Sequence, residues 1–180
     1  MDTEGRERMF LYPTTSKKSV YDLNFKALYH KGYRGIIFDI DNTLVEHGAP
    51  ADDRCIRFFG EIHAIGFRTM IVSNNKEPRV KSFADAVKSP YLYKAGKPSQ
   101  TGYLTAMERM GTDCGNTLCI GDQLFTDILG ANLCGMDSVL VGRVAGHEEI
   151  QIYLKRILEL PFLIAFVEGK KRKFPKKSDT

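Results

Sequence analysis

Short continuous apolar runs alternate along the chain with longer segments whose apolar residues recur every three or four positions. The runs at residues 35–41, 68–73, 91–94, 117–121 and 138–141 read as strands covered on both faces. The segment 52–65 places Ile56, Phe59, Ile62 and His63 on one helical face and stops at Gly66, a residue suited to a left-handed cap. Residues 77–88 carry Pro78 in the first turn and Val80, Phe83, Ala84 and Val87 along one stripe. A third helix is predicted over 99–110, with Tyr103, Leu104, Met107 and Met110 inward, and a fourth over 124–134 before Gly135. A fifth, over 147–160, meets Pro161. Strand–helix alternation predicts an α/β fold: a doubly wound, Rossmann-like parallel sheet of about five strands with helices on both faces.

Residues 1–34 precede the first core strand and read as an N-terminal extension that packs on the core, with a capped turn and a short helix through Leu28. Residues 35–168 form the expected domain, and 169–180 a basic, disordered tail.

The chain has 180 residues, enough for one domain with a sizeable core, and its 43% apolar share is ordinary. The net charge of +4 conceals an asymmetry. Lys170, Lys171, Arg172, Lys173, Lys176 and Lys177 cluster at the end; without residues 170–180 the chain has 20 basic against 21 acidic groups. Cys55, Cys114, Cys119 and Cys134 form no CxxC pair and no zinc-ligand spacing, so they are expected as small buried hydrophobes in a reducing cytosol. The first residues, Met-Asp-Thr-Glu-Gly-Arg-Glu-Arg, have no apolar core of a signal peptide. The longest greasy stretch, 157–167, contains Glu159 and Pro161 and falls short of the roughly 20 residues of a membrane span. The expectation is a cytoplasmic protein, at most peripheral to the inner face of the membrane.

Candidate chemistry begins at Ile36-Ile-Phe-Asp39-Ile-Asp41-Asn-Thr43-Leu-Val45. Side chains two apart on a strand share a side, so two carboxylates meet at the end of a core strand. Like charges that close require a cation between them or a retained proton. Three more features follow at predicted carboxyl ends, where doubly wound sheets bind ligands. These are Ser73-Asn74-Asn75, Ala95-Gly96-Lys97-Pro98-Ser99, and Gly121-Asp122 with Asp127 five residues on. Asp39, Asp122 and Asp127 suit a hard, oxygen-seeking cation such as Mg²⁺. Lys97 and Ser73 suit phosphate oxygens, and the amides after the first strand add anion-binding donors. Such a set fits phosphoryl transfer, where catalysis is positioning plus charge stabilisation. Each residue alone has a plainer role. Ser73 can cap a turn, Lys97 can be a solvated charge, Asp122 can N-cap a helix and Asp127 can face solvent. Asn42, Asn74 and Asn75 either shape turns or touch substrate, and His47, His63 and His147 read as surface or packing residues.

In this order, Asp39-Ile-Asp41-Asn-Thr43-Leu-Val, Ser73, Lys97 and Gly121-Asp122…Asp127 resemble the four motifs of the haloacid dehalogenase (HAD) superfamily of phosphatases. The resemblance implies that Asp39 is the nucleophile, forming an aspartyl-phosphate, and Asp41 the general acid/base. It implies that Ser73 and Lys97 stabilise the transferring phosphoryl group, with Thr43 and Asn74 also at the substrate phosphate. Mg²⁺ would be held by Asp39, Asp122 and the backbone carbonyl of Asp41, with Asp127 supporting.

Within the superfamily the chain is similar to the IIIA-type, YqeG-like group and to phosphatidylglycerophosphate phosphatases. The residues carrying this are Ser19-Val-Tyr-Asp-Leu, Gly35 through Val45, Val72-Ser-Asn-Asn and Lys97-Pro. About 30 residues separate Asp41 from Ser73 and about 20 separate Ser73 from Lys97, room for one helix each, so a capless core with an open site is expected. An open site suits a large or surface-bound substrate, or a partner subunit as lid, as in a homo-oligomer. Phosphatidylglycerophosphate is the favoured substrate; a small soluble ester or a phosphoprotein is the alternative. The basic tail suits an anionic membrane, at about 1 kcal/mol per Lys or Arg near the surface. No basic–aromatic strip of the kind that tracks nucleic acid is present, so no nucleic-acid partner is expected. Two non-enzymatic alternatives stand beside this: a receiver-like phospho-acceptor, which would carry its accepting Asp after the third strand, and an inactive scaffold, against which every motif residue is intact.

Overall fold

The structure, a computed structural model, describes residues 11–144. The predicted helix at 147–160, the basic run at 170–177 and the boundary at 168/169 lie outside the described residues.

The elements run β1 (Thr15–Lys17), a 3₁₀ turn (Val20–Asp22), α1 (Phe25–His30), β2 (Gly35–Phe38), α2 (Asp53–Ile65), β3 (Arg68–Val72) and α3 (Glu77–Val87). They continue with β4 (Tyr91–Leu92), α4 (Gln100–Met110), β5 (Thr117–Gly121), a π-helical turn (Leu124–Ile128), α5 (Leu129–Leu133) and β6 (Asp137–Val141). All strands pair in parallel, in the order β1-β6-β5-β2-β3-β4. β2 is central, with Ile37 opposite Met70 of β3 on one side and Cys119 of β5 on the other. Both faces are covered. Ile36 and Phe38 join the core under α2 and α3, whereas Ile37 joins Tyr103, Met107 and Met110 of α4. Alternation along four residues thus feeds two cores. The chain winds outward from β2 to β4, then returns through α4 to β5 and β6. The switch point falls between β2 and β5, where a crevice opens at the carboxyl edge.

The sheet has six strands rather than about five. β1 is the addition: Thr15, Ser16 and Lys17 are all exposed and pair with Val139, Leu140 and Val141. An exposed three-residue edge carries no hydropathy signal. Beyond it, Ser19 and Asn24 cap the 3₁₀ turn and α1, and Val20 and Phe25 bury against the core.

Two helical faces differ from the expected stripes. In α2, capped by Asp52 and by Gly66 at φ 111°, the buried residues are Cys55, Phe58, Phe59 and Ile62, while Ile56 is exposed. Phe58 turns the face by packing edge-on to Tyr21 and Phe25. In α4, Leu104 is exposed and Ala106 is buried in its stead. The helix expected over 124–134 runs without a break from Leu124 to Leu133, but its first part, Leu124–Ile128, is π-helical.

Candidate active site

Asp39 follows β2, and its N–H donates to the Ile120 carbonyl on β5 at 3.1 Å. This fixes the residue across the switch point. Its Oδ1 lies 2.6 Å from the Lys97 ammonium. Lys97 arrives from the loop after β4, which is laced to the loop after β3. Ala95 N–H donates to Ser73 O and Lys94 N–H to Asn75 O, each at 3.0 Å. Asn74 then grips the Lys97 peptide from both sides: Lys97 N–H donates to Asn74 Oδ1 at 2.8 Å, and Asn74 Nδ2 donates to Lys97 O at 3.1 Å. The lysine side chain, 4% exposed, also reaches Asp127 Oδ1 at 2.7 Å. It is a buried ionic hub, not a solvated charge.

Asp127 sits in the π-helical turn, a departure from α geometry that recurs at functional sites. Its other oxygen, Oδ2, accepts the Gln123 N–H at 3.1 Å. Gly121 makes room for it: a Cβ there would lie 2.3 Å from the Asp127 carboxyl carbon. Asp122, directly after β5, accepts from Arg143 Nε at 3.0 Å through Oδ2. Asp39, Asp122 and Asp127 each present an oxygen within 4.8 Å of the others.

Three buried carboxylates face two cations here. Burial raises the Asp39 pKa; Lys97 opposes this, and Asp127 and Asp122 add to it. Burial, with Asp127, lifts Asp122 to about 6 against the pull of Arg143. Burial disfavours the Lys97 charge, but Asp127 and Asp39 outweigh it, so the ammonium is held charged. The cluster therefore resists full ionisation on its own. Its composition, oxygen-only and acidic, fits a hard divalent cation. Asp122 Oδ1 supports the same fit, being buried with no hydrogen-bond partner.

Asp41 behaves differently. Oδ1 accepts from Gly48 N–H at 2.8 Å and Arg79 Nη2 at 2.9 Å, and Oδ2 accepts from Asn75 Nδ2 at 2.5 Å. Burial works against its charge, yet the Gly48 and Arg79 hydrogen bonds and the Arg79 charge hold its pKa below the usual carboxylate value. Its carboxylate stands outside the three-acid group; the contact expected of it there is through the backbone carbonyl, not this side chain. The reason is local. β2 ends at Phe38, and Asn42, at φ 62°, folds the chain into a turn closed by its N–H on Val45 O.

A pocket of about 210 Å³ opens between these loops and is lined by Asp39, Asp41, Ser73 and Lys97, with Asn42, His47, Asn74, Asn75, Gln123 and Thr126 around them. Ser73 is buried, its Oγ accepting from Asn75 N–H at 3.2 Å. Thr43 is buried and its Oγ1 has no hydrogen-bond partner. Asn74 lines the pocket, and its amide also builds the loop, bonding the Lys97 backbone through Oδ1 and Nδ2. His63 bonds Thr69 at 2.8 Å in the packing role expected. His47, expected at the surface or in packing, is exposed but stands at the pocket, 3.9 Å from Asp41 Oδ1.

Sequence reasoning missed Arg79, Arg143 and Gln123. Arg79 lies one residue after Pro78 in the first turn of α3, and Arg143 two residues past β6. A basic residue just past a strand end was the available signal for Arg143; nothing in the sequence marks Arg79 or Gln123.

Residues 94–151 match the HAD-hydrolase-like family pattern. The chain is 36% identical over 159 residues to "Probable phosphatase YqeG" of Bacillus subtilis, covering 88% of this chain and 92% of that one. It is 26% identical over 170 residues to "Phosphatidylglycerophosphate phosphatase 1, chloroplastic/mitochondrial" of Arabidopsis thaliana, spanning 88% of this chain but 49% of that protein. Among solved structures, the cobalt-bound deoxy-D-mannose-octulosonate 8-phosphate phosphatase of Haemophilus influenzae superposes with a TM-score of 0.51 at 14% identity. It covers 63% of this chain and 80% of that one, a likeness of fold.

Proposed function

The chain belongs to the HAD family of phosphatases, and from that premise we propose a Mg²⁺-dependent phosphomonoesterase working through an aspartyl-phosphate at Asp39, with phosphatidylglycerophosphate as favoured substrate. The single observation that carries this reading is the 2.6 Å approach of Lys97 to a buried Asp39 that lines the pocket.

Asp39 Oδ1 is tied to Lys97, which leaves Oδ2 to attack phosphorus. Asp41, ionised in the free site, takes up the proton of the monoanionic ester as it binds and delivers it to the departing alkoxide as the ester P–O bond breaks, then takes one from the water that hydrolyses the acyl phosphate. Ser73 Oγ and the Lys97 ammonium steady the phosphoryl oxygens in transit, and the unpartnered Thr43 hydroxyl is a further donor. Asp39, Asp122 and the Asp41 carbonyl would hold Mg²⁺, with Asp127 fixing Lys97 beside it. Bound there, the ion supplies charge neutralisation to the transferring group.

The lipid preference has two supports. The stretches between Asp41 and Ser73 and between Ser73 and Lys97 hold one helix each, α2 and α3, so no inserted cap covers the pocket. The second support is the likeness to the Arabidopsis lipid phosphatase. The basic run at 170–177 is proposed to meet an anionic membrane surface. No helix of the described residues is long and apolar enough to cross a membrane. The test is phosphate release with Mg²⁺ from a panel of phosphatidylglycerophosphate, sugar phosphates, nucleotides and a phosphopeptide. The lipid should be turned over fastest; release from soluble esters alone would overturn the lipid preference.

A further inference from the structure

Arg79, in the first turn of α3, stands beside Asp41 but is not among the residues that line the pocket. Its side chain is 21% exposed and lies with its guanidinium 5.6 Å from the Phe83 ring. Nη2 donates to Asp41 Oδ1, while Nε is buried without a partner. A buried N–H left unpaired costs stability, so packing alone is a poor account of an arginine here.

The carboxyl torsion of aspartate is broad and soft. At Asp41 it is pinned by donors from three segments: Gly48 after the turn, Asn75 after β3, and Arg79 on α3. His47, at 3.9 Å, is the other titratable group facing Oδ1. Gly48 supplies a single amide and Asn75 holds the opposite oxygen. Arg79 brings a rigid, planar guanidinium to Oδ1 from a helix, through one hydrogen bond from Nη2.

We propose that Arg79 is a positioning residue: it aims the Asp41 carboxyl at the leaving oxygen of the substrate ester. This rests on the reading of Asp41 as proton donor. In the step concerned, Asp39 bonds to phosphorus as the ester P–O bond breaks, the electron pair of that bond stays on the leaving oxygen, and that oxygen takes the proton that Asp41 acquired from the bound monoanionic ester; Arg79 keeps its own protons throughout.

The test is leaving-group dependence, which a merely structural residue does not move. Phosphorylation of the enzyme is timed in single turnover on p-nitrophenyl phosphate, whose leaving group departs without a proton. The same is done on an alkyl phosphate that needs one: phosphatidylglycerophosphate, or glycerol 3-phosphate if the lipid is refused. Acid catalysis contributes about 10²–10⁴-fold, so Asp41→Asn should lose that much more on the alkyl than on the aryl ester. Arg79→Gln should show a differential loss of roughly tenfold or more, Arg79→Lys a smaller one. In the Asp41→Asn background, Arg79→Gln should cost nothing further on the alkyl ester. Equal losses on both esters from Arg79→Gln, with Asp41→Asn still discriminating, overturn the inference alone. If Asp41→Asn does not discriminate, the donor role falls and the inference with it. Should Arg79→Gln fail to fold, Arg79→Lys carries the same comparison, and equal losses there overturn the inference.

Discussion

Lys97 places its ammonium 2.6 Å from the carboxylate of Asp39, across 58 positions of chain. The same nitrogen reaches Asp127 at 2.7 Å. One buried cation thereby joins the loops after β2 and β4 to the π-helical turn after β5.

Removing that cation should do more than abolish catalysis. Lys97→Met leaves Asp39 and Asp127 buried without their partner, and breaking a buried pair costs ~3–5 kcal/mol. Urea unfolding with chelator present should show a loss of that size. A loss near zero would mean that the ion pair is not formed in solution.

Gly121→Ala should disturb the acidic cluster without touching substrate. The added methyl would sit 2.3 Å from the Asp127 carboxyl carbon, so Asp127 must move. Disturbing such a supporting residue typically weakens a metal site by about 10–100-fold. A Mg²⁺ titration of activity should move to higher concentration by that factor; an unmoved titration would show that Asp127 does not support the site.

The stability of the metal-free protein should carry the signature of a raised carboxylate. The folded pKa of Asp122, about 6, exceeds the ordinary value near 4 of an unfolded chain. The folded state then binds more protons than the unfolded state across that window, so this contribution is present at low pH and lost as pH rises from about 4 through about 6. In chelator, wild type should lose stability relative to Asp122→Asn over that window. Added Mg²⁺ should oppose the loss, since metal ligation requires the deprotonated acid. A flat difference between the two proteins would contradict the assignment.

Deleting residues 170–180 should weaken binding to vesicles containing anionic lipid, most at low salt, because exposed charges are screened within about 10 Å at 0.1 M ionic strength. Equal co-sedimentation of the full and shortened chains would make the tail irrelevant to membranes.

Much of this site was legible because its residues fall at strand ends. Asp39, Ser73, Lys97 and Asp122 each follow an apolar run, and a doubly wound sheet brings such positions together. β1 was illegible, since Thr15, Ser16 and Lys17 are polar and exposed and are ordered only by pairing with β6. The different surroundings of Asp39 and Asp41 were hidden as well. Strand periodicity puts both on one side, but the chain leaves the sheet at Phe38, and Gly48, Asn75 and Arg79 claim the second carboxylate. Periodicity is also silent on Asn74, whose side chain serves a backbone distant in sequence.

The central claim is covalent chemistry at Asp39. Enzyme mixed with a turned-over phosphate ester and Mg²⁺ can be quenched in acid, reduced with borohydride and mapped by peptide mass spectrometry. An aspartyl-phosphate is converted by this treatment to homoserine, and the account predicts that conversion at position 39, dependent on substrate and absent in Asp39→Asn. Conversion at a different residue, or none while phosphate is being released, would contradict it.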